Sequence, residues 1–241
     1  MPFRALLDLL FPPLCHICKA FIPGAGDLFI CAPCLEKITF LVTPLCSVCG
    51  TPFGTENGLN HICGACLRNP SFPICRSATY FAGPVQELIH RFKYGHRVHL
   101  SQPLGLLTAR ALAPFRAESA PELVVPVPLH RRRLRQRGYN QSQLLAEVLA
   151  KQWKLKLEVG NLRRIRWTEP QTSLDATDRR DNVRGAFAVR DPRRLEGRRV
   201  LLVDDVFTTG STIRACAGSL RDAGVAEVFV VTVARSVQQS I

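Results

Sequence analysis

Eight cysteines near the start of the chain stand in four Cys-x-x-Cys pairs: Cys15 and Cys18, Cys31 and Cys34, Cys46 and Cys49, Cys63 and Cys66. The pairs are separated by 12, 11 and 13 residues. Each pair can turn two sulfurs toward one cation, and tetrahedral Zn2+ takes four thiolates at about 2.3 Å, so eight ligands point to two structural zinc sites. Spacing alone leaves interleaved pairing open. Sequential sharing, in which the first two pairs hold one ion and the last two the other, lets each ribbon close its own loop. Pro44, Gly50, Pro52 and Gly54 supply turns around the third pair. Disulfides would need an oxidising compartment, and a redox Cys-x-x-Cys would follow a strand in a β-α-β pattern that is absent around these pairs. His16 and His61 lie beside ligands but out of register, and are expected in solvent or behind the ligands. Cys75 and Cys216 have no partner pair. Cys216 shares a helical face with Ile213, Ala217 and Leu220 and reads as a small buried hydrophobe.

A second chemical group lies near the other end, at Val203-Asp204-Asp205-Val206-Phe207-Thr208-Thr209-Gly210-Ser211-Thr212. Arg199–Asp205 reads as a buried strand, apolar over Val200–Val203, that ends in two carboxylates. Thr212 opens a helix expected to run to about Ala223. A strand, a short loop and a helix N-terminus make an anion site, because unpaired backbone N–H groups and the helix dipole both face the loop. Gly210 lets the backbone approach a phosphate closely, and Thr208, Thr209, Ser211 and Thr212 add hydroxyl donors. No lysine follows the glycine, so this is not the mononucleotide P-loop. Two acids that accept from adjacent sugar hydroxyls, with a phosphate cradle beyond them, describe a ribose 5-phosphate site. A strand end with an acidic turn would explain the aspartates but not the hydroxyl-rich tail.

The elements that hold these groups must fit a chain of 241 residues, enough for one sizeable core and a small module. The net charge is +13, and its distribution is uneven. Residues 1–75 carry four basic and four acidic side chains, leaving 28 of the 32 basic and 15 of the 19 acidic residues beyond them. With nine of ten cysteines at or before Cys75, this marks a boundary near 67–80, where Pro70 and Pro73 read as a linker. The basic half suits phosphorylated ligands, nucleic acid, or a solvated arginine-rich surface. No stretch has the roughly 18 uninterrupted apolar residues of a membrane helix. Phe3, Leu6, Leu7 and Leu10 recur at helical spacing, and Asp8 interrupts any leader-like run, so a cytoplasmic location is expected.

The segment Val203–Thr212 resembles the loop with which type I phosphoribosyltransferases bind phosphoribosyl diphosphate. With the cysteine pairs in front, the chain resembles the ComF family of competence-associated, phosphoribosyltransferase-like proteins over nearly its full length. The resemblance includes Leu88–Gly95, Val125–Pro128, Arg137–Gln141, Gln171 and Arg180–Phe187. It implies an α/β fold, a parallel sheet flanked by helices (76–241), preceded by a zinc-ribbon module (1–70). It further implies that Val124–Pro128 is the first strand of that sheet, and that the turn His130–Arg133, with Arg131 and Arg132, holds the diphosphate. Asp204, Asp205, Thr208, Thr209, Gly210, Ser211 and Thr212 would bind the sugar phosphate, with Mg2+ on the diphosphate. Residues 140–153 read as an amphipathic helix through Leu144, Leu145, Val148, Leu149 and Trp153. The run Arg163–Gly185 suits a closing loop or a basic surface loop. No acceptor base or nucleobase pocket stands out, so transfer and sensing of phosphoribosyl diphosphate look alike. A second expectation is single-stranded DNA binding through Arg131–Arg137 and Arg163–Arg166, with Tyr139, Trp153 and Trp167 as stacking platforms. The ribbons, balanced in charge before their thiolates, suit contact with DNA-import proteins or bracing.

Overall fold

The computed structural model describes residues 12–23, 26–54, 58–167 and 185–237. Short helices α1 (Ala32–Glu36) and α2 (Gly64–Leu67) belong to the cysteine module. Then follow β1 (Ile74–Tyr80), α3 (Gly83–Tyr94), α4 (Ser101–Ala111), α5 (Ala113–Ser119), β2 (Leu123–Pro126), α6 (Arg131–Arg137) and α7 (Gln141–Trp153). The remainder is β3 (Lys156–Leu157), β4 (Leu162–Arg164), β5 (Phe187–Val189), β6 (Arg199–Phe207), α8 (Ser211–Asp222) and β7 (Glu227–Arg235). Five strands form one parallel sheet in the order β1-β7-β6-β2-β3, and β4 and β5 pair antiparallel beside it.

Both faces of the sheet are covered, which is why β6 and β7 read as nearly continuous apolar runs rather than alternating ones. Alternate residues of β6 serve opposite faces. Leu201 and Val203 join the helices α3, α4 and α7, while Val200 and Leu202 pack with α8 and the β4–β5 pair. Helix α3 buries Val85, Leu88, Ile89 and Phe92, the one-face spacing of a 3.6-residue period. Helix α8 does the same with Ile213, Cys216, Ala217 and Leu220, so Cys216 is indeed a core residue.

The cysteine module is two copies of one design. Cys46 and Cys49 repeat Cys15 and Cys18 at an offset of 31 residues, and Cys63 and Cys66 repeat Cys31 and Cys34 at 32. In each copy the first pair lies in a tight turn, closed by Lys19 N–H to Cys15 O at 3.0 Å or by Gly50 N–H to Cys46 O at 2.9 Å. The second pair brackets a helix start, at Cys31 for α1 and Cys63 for α2. The second copy docks on the sheet through Cys75 N–H to Val48 O, 2.7 Å. Gly50 has φ +71°, and a Cβ there would lie 2.6 Å from Cys75 O, so only glycine admits this contact. Residues 39–41 run along the outer edge of β1, with Leu41 N–H to Ala78 O and Tyr80 N–H to Thr39 O. That covers part of an edge that would otherwise offer unpaired donors and acceptors.

Three sequence expectations need correction. The first strand of the sheet is Ile74–Tyr80, within the presumed boundary region, and Leu123–Pro126 is the second in chain order. The supposed linker is packed: Phe72 is 8% exposed and meets Phe207 edge-on at 6.1 Å. His130–Arg133 is not a turn but the start of α6, whose first N–H groups are capped by His130 accepting from Arg132 N at 3.2 Å. The amphipathic segment Phe3–Leu10 and the motifs at Gln171 and Arg180–Arg184 lie outside the described residues.

Candidate functional site

Four sulfurs gather in each half of the cysteine module, Cys15, Cys18, Cys31 and Cys34 in one and Cys46, Cys49, Cys63 and Cys66 in the other, all within 4.8 Å of one another. That is the sequential grouping. Burial raises the Cys15 thiol, but N–H donors of Cys31, Cys18 and Ile17 outweigh it and bring it down to about 6. Cys46 follows the same pattern, with burial opposed by N–H groups of Cys63, Cys49 and Val48, and also reaches about 6. Burial and the neighbouring thiols drive Cys34 up to about 12. Four such groups cannot ionise together without a cation among them, and an all-sulfur tetrahedral set fits Zn2+. His16 and His61 lie outside both groups. His61 stacks on Phe53 at 3.7 Å, and His16 sits against Phe29 and His99.

The second site lies at the carboxyl ends of the parallel strands, the crevice where open α/β sheets bind ligands. Strand β6 runs two residues past the acids, to Phe207. Asp205 is 8% exposed and Asp204 half-buried, so the pair lies within the strand rather than at its end. Asp204 Oδ1 accepts from Ser142 Oγ at 2.8 Å and from Asp205 N at 2.9 Å. Lys93, at the end of α3, places Nζ 2.8 Å from Asp205 Oδ1. Burial and the Asp205 charge push the Asp204 carboxyl up to about 7, against the pull of Ser142 and Lys93. Beyond the acids, Thr208 and Thr209 are exposed, and Thr209 Oγ1 lies 2.9 Å from Ser211 Oγ. Gly210 has φ +73° and precedes α8 as an N-cap without a side chain, and Thr209 Oγ1 accepts from Ser211 N at 3.4 Å. Thr212 follows in its first turn. A Cβ on Gly210 would come within 2.9 Å of both Phe72 and Phe207.

Helix α6 follows β2, the neighbour of β6, and so lies on the same edge of the sheet as the acids. Arg131 and Arg132 are exposed, and Arg132 lies over the Trp167 ring at 5.3 Å. Arg131 and the loop threonines line different cavities. Thr208 and Thr209 face a space of about 530 Å3 shared with Cys49, Thr51, Cys66 and Arg214, whereas Arg131 faces one between α6 and β4. Of the stacking platforms expected, Trp153 and Tyr139 are both half-buried, Trp153 packing against the core and Tyr139 donating its hydroxyl to Phe92 O. The basic run Arg163–Arg166 opens as strand, and residues 168–184 of the expected closing loop lie outside the described residues.

Sequence reasoning gave no role to Lys93, Asn140 or Ser142. Asn140 caps α7, accepting from Ser142 N at 3.1 Å and donating to Val127 O at 3.0 Å, and thereby aims Ser142 at Asp204. For Lys93 and Asn140 the signal was available only as the segments Leu88–Gly95 and Arg137–Gln141, which carry no local mark of chemistry, and Ser142 lies just outside them.

Two family models match, Double zinc ribbon domain over residues 6–67 and Phosphoribosyl transferase domain over residues 113–240. The chain is 34% identical over 216 residues to "Competence protein F" of Haemophilus influenzae, covering 86% of this chain and 90% of that one. It is 34% identical over 227 residues to "DNA utilization protein YhgH" of Escherichia coli, covering 92% and 96%. "Competence protein ComFC" of Bacillus subtilis is 25% identical over 224 residues, covering 87% and 85%. Among the described residues no helix is long and apolar enough to cross a membrane.

Proposed function

This chain belongs to the family of competence protein F and the DNA utilization protein YhgH, a double zinc ribbon joined to a phosphoribosyl transferase domain. From that premise we propose that it binds phosphoribosyl diphosphate at the end of β6 and acts in the uptake or use of DNA. One observation carries the binding reading. Two adjacent acids, a hydroxyl-rich loop and a helix N-terminus with glycine at its cap follow one another at the carboxyl edge of a parallel sheet.

Asp204 and Asp205 would accept from the two ribose hydroxyls, with Ser142 and Lys93 fixing where the carboxylates point. Backbone N–H groups at the start of α8, with Thr208, Thr209, Ser211 and Thr212, would hold the 5-phosphate. Lys93 adds positive charge beside the diol, and Arg131 and Arg132 supply guanidinium groups for the diphosphate on the neighbouring strand's edge. Mg2+, when bound with the ligand, would neutralise the diphosphate as a leaving group. The module 1–70 would brace the loop of the unit 76–241, since Asn69 Oδ1 accepts from Arg214 at 2.9 Å and Phe72, just beyond the module, packs on Phe207. Its outer face is then left for a protein of DNA import.

Isothermal titration with phosphoribosyl diphosphate, with and without Mg2+, tests the reading. We expect saturable binding that the Asp204→Ala, Asp205→Ala double variant loses. Diphosphate release on adding a nucleobase or a single strand would mark a transferase, and binding without release a sensor. Equal affinity in the double variant would remove the acids from the site.

A further inference from the structure

Two rings support the glycine of the phosphate loop, and over each ring lies an arginine that reaches into the second copy of the cysteine module. Gly210 sits so close to Phe207 and Phe72 that an added Cβ would meet both at 2.9 Å. Arg235, at the end of β7, is 6% exposed and lies 3.8 Å over the Phe207 ring. Its Nη1 donates to Cys49 O at 2.7 Å, and its Nη2 to Thr51 Oγ1 at 2.7 Å and Cys49 Sγ at 3.7 Å. Arg214, in the first turn of α8, lies 5.5 Å over the Phe72 ring and donates to Asn69 Oδ1 at 2.9 Å. Asn69 N–H in turn donates to Cys66 O at 3.0 Å.

One cysteine from each pair of the second group is thus joined, through an arginine and a ring, to Gly210. The first group is tied elsewhere. Its copy meets α3 and α4, with Arg91 donating to His16 O and Arg110 pairing with Asp27 at 3.0 Å.

The acceptors for Arg235 and Arg214 exist only while the second knuckle keeps its shape, and in such ribbons metal affinity is folding free energy. If the turn at Cys49 opens, Arg235 keeps its charge and loses its partners. A buried guanidinium without acceptors is costly enough that the side chain must turn to water. It then leaves Phe207, the residue from which the exposed Thr208 and Thr209 continue. The loop loses one of the two rings on which Gly210 rests.

We propose that Arg235 and Arg214 are positioning residues that couple the second zinc centre to the phosphate loop. The inference rests on reading that loop as the phosphoribosyl diphosphate site. With metal at Cys46, Cys49, Cys63 and Cys66, the two rings and Gly210 are set for the 5-phosphate. Linkage is reciprocal, so the bound ligand tightens the hold on that metal by the same factor. The first centre is uncoupled.

The test uses the full chain with both zinc centres filled, and phosphoribosyl diphosphate with Mg2+ as the probe. The double variant Thr51→Val, Asn69→Ala takes one acceptor from each arginine and alters neither a zinc ligand nor the loop. Isothermal titration should show it binding the probe at least about fivefold more weakly than the native chain, the lower end of such couplings. The reciprocal arm measures bound zinc against a chelator-buffered series of free zinc, with and without the probe. In the native chain the probe should move one of the two zinc steps to lower free zinc by that same factor and leave the other in place. Cys18→Ser, which empties the first centre, should keep both the moved step and the native affinity for the probe. Native affinity in a double variant with both centres filled overturns the coupling. So do native zinc steps that both move or both stay, which decides the matter even if the double variant loses metal. A moved step that vanishes in Cys18→Ser puts the coupling at the other centre and overturns the role of the two arginines. A native chain that binds no phosphoribosyl diphosphate overturns the reading of the loop itself, and the coupling with it.

Discussion

Replacing Asp204 by Asn should stabilise the protein while removing its ligand. Asn keeps an Oδ1 for Ser142 and for Asp205 N–H, so the local hydrogen bonds survive and only the charge is lost. In an unfolded chain an aspartate titrates near 3.9, whereas in the fold burial and Asp205 push Asp204 up to about 7. The native state therefore retains a proton that the unfolded state releases. The stability this contributes is fully present below about pH 4 and is lost progressively as pH rises to about 7. The whole interval corresponds to about 4 kcal/mol at most. Most of it, about 2 kcal/mol once water at the half-buried side chain is allowed for, falls between pH 5 and 8. For a chain of this size that is about 4–8 °C in Tm. The Tm of Asp204→Asn minus that of the native chain should thus grow by that much from pH 5 to pH 8, measured by scanning calorimetry. Any weakening of the zinc sites at low pH is common to both chains and cancels. A Tm difference that is constant with pH, or that shrinks as pH rises, would refute the account of Asp204 as an acid held protonated by burial and by Asp205.

Elemental analysis should find about two zinc ions per chain, and chelation should melt the ribbons before the sheet, because metal affinity there is folding free energy; one ion per chain would leave only one of the two cysteine groups as a site. Arg235 is 6% exposed, donates to Cys49 O and Thr51 Oγ1 at 2.7 Å each, and lies 3.8 Å over the Phe207 ring. Arg235→Met should cost about 3 kcal/mol and lower Tm by about 6–12 °C, with a Tm unchanged within 2 °C ruling out the coupling of ribbon to sheet. If α6 and Arg163 contact single-stranded DNA, log affinity should fall with log salt at about −0.7 per phosphate neutralised, and replacing Arg131, Arg135 and Arg163 should flatten the slope.

The parts legible in the sequence are those whose physics is local. Repeated Cys-x-x-Cys spacing, the apolar run Val200–Val203, and the helical faces of α7 and α8 each carry their signal within a dozen residues. Strand β1 does not. Ile74–Tyr80 includes Arg76, Ser77 and Thr79, and reads as polar linker because its polar groups are satisfied from far away. Ser77 Oγ meets Thr232 Oγ1 at 2.6 Å, and Thr79 Oγ1 donates to Val233 O at 2.9 Å. Helix α6 buries no residue, so seven arginine-rich positions show no face and resemble a turn. Three-residue strands such as β4 are too short to display alternation. Lys93 and Ser142 reach the acids from helices more than 60 residues away.

The pairing of β1 with β7 fixes when this molecule can be finished. The residues joined by the Ser77–Thr232 contact are 155 apart. During synthesis the cysteine module emerges ahead of the sheet and can take its metal while most of the sheet does not yet exist. Strand β1 then waits with one side lightly covered by residues 39–41 and the other bare until β7 has left the ribosome. Late closure of so long a loop slows folding and leaves a sticky edge exposed in every unfinished chain. A ribosome that stalls before β7 is made therefore releases a product with loaded zinc knuckles and an open sheet, a substrate for chaperones rather than a smaller working protein.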